Sequence, residues 1–177
     1  AWAFGPLFVP FVVIYAASLA GIAWIASTFE LKELPARFGE SFPARGMAIF
    51  SLAMALLLVA MWTGRIVPAT AGKIDGMLLG QTTMVVQALD LGLIVPFSVF
   101  TGLAALKRRP IGYLLSAALV VKGAAMAGAI CLMVISAWVV EGQQQAVPLA
   151  IFGAATGVSL WLGLRIYRSV RAAGAPA

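Results

Sequence analysis

The sequence predicts an all-α integral membrane protein built as a five-helix transmembrane bundle. Three observations predict this class. Hydrophobic residues make up 63% of the 177 residues and charged residues only 10%, and the mean hydropathy of +1.04 is far above that of a soluble domain. The uncharged runs can each hold the roughly 20 apolar residues that a helix needs to cross a bilayer. Most of the charges fall between those runs or at the C-terminal end.

Each predicted helix occupies one of the apolar runs. The first run has no basic residue before it and is longer than the apolar part of a signal peptide, so we expect a retained helix there. The third and fourth helices arise by joining runs across Asp90 and across Lys122. The five helices are predicted over about residues 7–27, 46–62, 84–106, 111–135 and 147–167. We expect residues 1–177 to form a single transmembrane domain.

The lengths of the connections predict how the later helices pack. Helices three and four are joined by the tight turn 107–110, and helices four and five by a short polar segment around 141–145. Short connections make consecutive helices antiparallel neighbours. We therefore expect helices three, four and five to pack in chain order.

The basic residues predict the orientation of the bundle. The first loop, the third loop and the C-terminal end together carry Lys32, Arg37, Arg45, Lys107, Arg108, Arg109, Arg165, Arg168 and Arg171. The opposite side carries only Arg65 and Lys73. Because cytoplasmic segments hold the excess of Lys and Arg, this pattern predicts an outside N-terminus and a cytoplasmic C-terminus.

The turn formed by Lys107, Arg108 and Arg109 has two interpretations. Three adjacent cations at a membrane surface suit the binding of anionic lipid head groups. The same residues also act as a topology signal, which is the simpler interpretation.

Composition also excludes several classes of site. The chain contains no His and a single Cys, Cys131. Haem ligation, thiol-based redox chemistry and the usual zinc sites therefore have too few ligands. We expect no metal, no cofactor and no catalytic residue. The net charge of +6 is accounted for by the basic loops, so we expect no nucleic-acid partner.

Asp90 and Lys122 are charges inside predicted membrane spans. A charge at the centre of a transmembrane helix costs roughly 2.5 to 3.5 kcal/mol on insertion scales and nearly always faces the protein interior. Counted from the turn 107–110, the two residues lie at similar depths, and Tyr15 on the first helix lies at a comparable depth. We expect an ion pair, direct or through water, which either fixes packing or lines a ligand or ion path. The remaining alternative is that the Asp90 side chain reaches toward the outer interface.

Further polar groups surround Asp90 in the sequence. At 100° per residue, one broad face of helix three holds Gln87, Asp90, Ser98 and Thr101. Pro96 lies on the same helix and lacks a backbone N–H, so it frees the carbonyl of Gly92 four residues earlier. The candidate ligand-binding or ion-pair residues are therefore Asp90, Lys122, Tyr15, Gln87 and Gly92.

Small residues recur four positions apart, which allows helices to approach closely in lipid. The pairs are Ala17 and Gly21, Gly123 and Ala127, Ala124 and Gly128, and Gly153 and Gly157. Chance explains such pairs about as well in a chain rich in Ala and Gly. Trp62 falls at the predicted end of helix two, where an aromatic anchor is expected.

The strings ALDLGLIVP (88–96) and KRRPIGYLL (107–115), preceded by RFG (37–39) and PAR (43–45), resemble a group of bacterial polytopic integral membrane proteins with no assigned activity. The resemblance implies a multi-pass protein of the bacterial cytoplasmic membrane. It implies nothing about mechanism.

Two functions fit these observations best. In the first, the protein handles a small ligand or ion at a polar intramembrane site around Asp90 and Lys122. In the second, it is a non-catalytic structural or accessory subunit of a membrane complex. An enzyme is the least favoured reading, because the spacing of the interior polar residues matches no reaction template. Besides the lipid bilayer, the partners expected are further copies of the chain or a larger membrane complex.

Overall fold

The computed structural model describes residues 8–70, 85–142 and 144–170, and within these ranges the regular structure is helical throughout, with no strand. The elements are α1 (Phe8–Ser27), a 3-10 helix (Leu31–Glu33), α2 (Leu34–Phe38), α3 (Ala44–Thr70), α4 (Val85–Leu89), a π-turn (Asp90–Ile94), α5 (Val95–Leu106), α6 (Pro110–Glu141) and α7 (Ala146–Ser169). Most of the predicted second loop, including Lys73, lies outside the described residues, as does Arg171.

Four helices in the described part of the chain are long and apolar enough to cross a membrane: Ala44–Pro68, Val86–Leu106, Pro110–Glu141 and Ala146–Ser169. The second of these joins α4, the π-turn and α5 into one stretch, here called the α4–α5 span. A fifth crossing exists if Val12–Ser27 and Leu31–Phe38, bent by 59°, count as one broken span. The predicted all-α, multi-pass membrane class is confirmed.

Two helices extend well past their predicted ends. The helix predicted to stop at residue 62 continues as α3 to Thr70, and the one predicted to stop at residue 135 continues as α6 to Glu141. In α3 the sequence suggested a loop because Arg65 follows Thr63 and Gly64. An arginine near the end of a span can stay helical because its long side chain reaches the polar interface.

The packing follows chain order. α5 lies against both α3 and α6, α6 lies along α7, and α3 also touches α7. The prediction that the third, fourth and fifth helices are consecutive neighbours is therefore confirmed. The turn between α5 and α6 is especially close, since a Cβ added to Gly112 would lie 2.6 Å from the backbone of Ala104.

Some of the small-residue pairs mark a helix interface and others do not. A Cβ added to Gly123 would lie 2.7 Å from Ser159 Oγ, so α6 and α7 meet most tightly there. Ala127, four residues on, is buried as well. The space around Gly153 and Gly157 is open. The pair of Gly123 and Ala127 thus allows close packing within the bundle, and the pair of Gly153 and Gly157 faces outward.

The best-packed part of the described core lies at the end of the bundle that carries the basic connections. There Phe38 and Phe42 pack on Tyr113, with ring centroids 5.2 and 4.5 Å away respectively. Leu34 on α2 is buried in the same cluster. The segment between α1 and α3, expected to be a plain basic loop, therefore folds onto the start of α6.

Arg108 links the first and third loops at this end of the molecule. Its backbone has φ of 49° in the α5–α6 turn, and its guanidinium donates to the carbonyls of Gly39 at 3.4 Å and Glu40 at 3.1 Å. The first and third loops are thus tied together, as the antiparallel arrangement requires.

Helix α1 stands apart from this bundle. Among the described elements it makes no extensive contact with another helix, and apart from Gly21 every residue of α1 whose burial the structure describes is exposed. Most of the described apolar surface of α1 is therefore left for lipid or another protein to cover.

Candidate functional site

Asp90 opens a π-turn inside the α4–α5 span. The backbone N–H of Val95 reaches back five residues to the carbonyl of Asp90, one residue farther than in an α-helix. Pro96 lies two residues after the end of this turn, and in a regular helix its ring would collide with the carbonyl four residues earlier. The wider turn accommodates the proline. Such turns are frequent at functional sites.

The carboxylate of Asp90 is held by Trp62. The indole N–H of Trp62 donates to Asp90 Oδ2 at 3.0 Å. Trp62 is 8% exposed, and Asp90 is half-buried. The contact joins α3 to the α4–α5 span. Sequence reasoning missed it because the predicted helix ended at Trp62, which made that residue an interfacial anchor.

Arg65 completes a small charged constellation, one turn beyond Trp62 on α3. Its guanidinium carbon lies 5.5 Å from the centre of the Trp62 ring, within the range of a cation–π interaction. The indole thus contacts a carboxylate through its edge and a cation through its face. Arg65 had been placed in the outer loop, so its membership in this group was also missed.

Lys122 does not pair with Asp90. The ion pair found between two side chains of residues 8–70, 85–142 and 144–170 joins Arg37 to Glu33, at 2.9 Å, and none joins Lys122 to Asp90. Lys122 lies on α6, half-buried, next to the close contact of Gly123 with α7. The expected direct link between the two intramembrane charges is therefore not formed, and a link through water stays a prediction.

The three other candidate residues differ in whether they lie near Asp90, Trp62 and Arg65. Gln87 is half-buried on α4, three residues before Asp90. Gly92 is exposed within the π-turn, with open space where a side chain would lie. Tyr15 is 52% exposed on α1, a helix that scarcely touches the helices carrying Asp90 and Trp62. Only Gln87 and Gly92 therefore stay near Asp90 along the chain.

Hydroxyl groups form the rest of the buried polar interior. Ser51, Thr101 and Ser159 each donate to the backbone carbonyl four residues earlier. Within the described residues, the hydroxyls of Ser98 and Ser116 are buried without a hydrogen-bond partner. These small residues allow close helix packing, and none of them carries a charge.

The three residues of the basic turn at the other end of the bundle differ in their contacts. Arg108 is occupied by the carbonyls of the first loop. Lys107 and Arg109 are exposed. Binding of lipid head groups by this turn stays a prediction, and it falls mainly to those two residues.

The described residues contain no group of three or more His, Cys, Asp or Glu side chains arranged to hold a metal ion. The carboxylate of Asp90 can accept a hydrogen bond or balance a positive charge, and the indole and guanidinium beside it can orient a second group. No protein family, no curated protein and no solved structure matches the chain. The assignment of the candidate site therefore rests on the geometry of its residues.

Proposed function

We propose that the protein handles a small ligand or ion at a polar intramembrane site centred on Asp90, in a bacterial cytoplasmic membrane. The observation that carries the proposal is the Trp62–Asp90 hydrogen bond. Trp62 supplies a neutral donor at 3.0 Å, and no basic side chain of the described residues forms an ion pair with this carboxylate. An ionised carboxylate in a span is costly. Binding a positively charged or hydrogen-bond-donating group lowers that cost.

The depth of Asp90 favours access from the side opposite the basic connections. Sixteen residues separate it from the end of α5 at Leu106, which corresponds to about 24 Å along the helix. The hydrocarbon core is about 30 Å thick. A small molecule entering from the far side meets Arg65 first and Asp90 a few ångströms deeper.

Arg65 narrows the class of ligand. A simple metal cation approaching Asp90 also approaches the guanidinium, which repels it. A small zwitterion can place its positive end at Asp90 and its negative end at Arg65. We therefore favour a dipolar ligand over a bare cation.

Thermal unfolding of the purified protein in detergent tests the proposal, with sodium chloride, ethylammonium chloride and glycine as probes at constant ionic strength. A probe at about 100 times its dissociation constant should stabilise the wild type by about 2.7 kcal/mol. The Asp90→Asn variant should lose the effect, and Glu40→Gln, which removes an exposed acid outside the spans, should keep it. Stabilisation of all three proteins to the same extent, or of none, would contradict the proposal.

The second candidate function is that of an accessory subunit, and the exposure of α1 favours it. Ile22 is 65% exposed and Trp24 75% exposed on this apolar helix. A neighbouring subunit packed on α1 would cover that surface. Disulfide or maleimide cross-linking in native membranes from Ile22→Cys, in a Cys131→Ser background, should then give a single defined adduct. A ladder of random adducts or none would leave α1 facing lipid.

A further inference from the structure

A groove lies at the basic end of the bundle, remote from Asp90. Its volume is about 420 Å³, and it is lined by Ser41, Trp161, Arg165, Arg168 and Ser169. Ser41 comes from the connection before α3, and the other four come from the last turns of α7. None of these described lining residues is acidic.

The α7 residues form one stripe by helical spacing. Trp161, Arg165 and Arg168 follow each other at intervals of four and three residues, so they lie on one face. The guanidinium carbon of Arg165 lies 5.3 Å from the centre of the Trp161 ring. This contact places the positive charge beside an aromatic surface. The Ser169 hydroxyl donates to the carbonyl of Ile166 at 2.6 Å, so the two arginines are the donors that this stripe offers to a ligand.

The two arginines have no acidic partner in the described residues, where the ion pair found joins Arg37 to Glu33. Glu40, the nearest acid in sequence to Ser41, is exposed. Its backbone carbonyl, not its carboxylate, is bound by Arg108. Both guanidinium groups are therefore available to an anion, and the guanidinium fork matches the geometry of phosphate.

The position of the groove favours the phosphate of a lipid head group over a soluble phosphate. It opens at the end of the span Ala146–Ser169, where lipid head groups lie. Trp161 is 53% exposed, and its amphipathic ring suits the boundary between acyl chains and head groups. We propose that this groove binds the phosphate of an anionic phospholipid, with Arg165 and Arg168 contacting the phosphate and Trp161 packing against the glycerol and upper acyl chain.

The test measures the thermal stability of delipidated protein in detergent while phosphatidylglycerol, phosphatidylcholine or inorganic phosphate is added. Phosphatidylglycerol should stabilise the wild type more than phosphatidylcholine does. In Arg165→Gln/Arg168→Gln the apparent affinity for phosphatidylglycerol should fall about tenfold or more, because two charge-assisted contacts are lost. The control Lys32→Gln/Arg45→Gln removes the same charge from exposed positions at the same end but outside the groove, and it should bind nearly as the wild type does.

Three outcomes would overturn the proposal. Equal losses in the two double variants would show that only the general surface charge matters. Equal stabilisation by phosphatidylcholine would remove the preference for an anionic lipid. Stabilisation by inorganic phosphate alone, dependent on the same arginines, would assign the groove to a soluble anion. If the double variant does not fold, Arg165→Lys, which keeps the charge but loses the fork, should still show weakened binding of phosphatidylglycerol.

Discussion

Trp62 provides Asp90 with a hydrogen-bond donor without providing a positive charge. Had Lys122 been the partner, the two charges would have cancelled and the site would have been closed. The indole instead fixes the direction of the carboxylate through a 3.0 Å hydrogen bond, while Arg65 lies over the face of the ring. The carboxylate is thus oriented but not neutralised by an ion pair.

The first prediction tests this coupling by a double-mutant cycle. Trp62→Phe and Asp90→Asn should be non-additive by about 1.5 to 3 kcal/mol, the range for a hydrogen bond to a charged group. In the absence of a bridging water, Asp90→Asn and Lys122→Met should add within about 0.5 kcal/mol, because no direct contact joins the two side chains. Unfolding in mixed micelles, followed by circular dichroism, measures both cycles. A coupling between Asp90 and Lys122 as large as that between Asp90 and Trp62 would restore the ion pair that the sequence suggested.

Among the helices, the apolar runs predicted the starts of the last two spans well. The predicted starts at residues 111 and 147 differ by one residue from those of α6 and α7. Ends were harder to predict where a polar residue such as Arg65 continues a helix into the interface. The π-turn was not predicted, because it depends on how the neighbouring helix packs as well as on Pro96. Without these two features the Trp62–Asp90 contact could not be anticipated.

The second prediction concerns the close turn between α5 and α6. Gly112→Ala should destabilise the protein by about 1 to 3 kcal/mol, since the added methyl group would meet the backbone of Ala104 at 2.6 Å. Gly157→Ala on α7 is the matched control, because nothing lies within 4 Å of its added Cβ. That variant should be neutral or slightly more stable. Equal effects of the two substitutions on the melting temperature would show that the turn is looser than the structure indicates.

At the scale of the whole molecule, the chain gathers its basic connections at one end and the Asp90 constellation toward the other. Arg108 bridges the first and third loops, and the groove brings the first loop to the end of α7. The grouping of these charges follows from antiparallel packing. Which end faces the cytoplasm depends on the membrane and is a separate prediction.

The third prediction tests that orientation with a membrane-impermeant maleimide on intact bacterial cells, in a Cys131→Ser background. Arg109→Cys, in the connection before α6, should react only after permeabilisation. Gln144→Cys, in the connection after α6, should react on intact cells, because one spanning helix separates the two positions. The reverse pattern would invert the topology, and labelling of both positions from outside would exclude α6 as a single crossing.

The π-turn behaves as a one-residue insertion in a helix, and this makes the span tolerant of a change in its length. A chain shortened by one residue between 90 and 94 would still span the membrane, since the stretch Val86–Leu106 has 21 residues and about 20 suffice. Its two halves would keep nearly the same rotational register, because the bond from the Val95 N–H to the Asp90 carbonyl would become an ordinary α-helical bond. We therefore expect deletion of Leu93 to leave an inserted helical protein in which Asp90→Asn and Trp62→Phe are still coupled, and independent effects of the two substitutions would show that the wider turn itself directs the carboxylate. The span can thus lose one residue at this point while the site and the bundle stay intact.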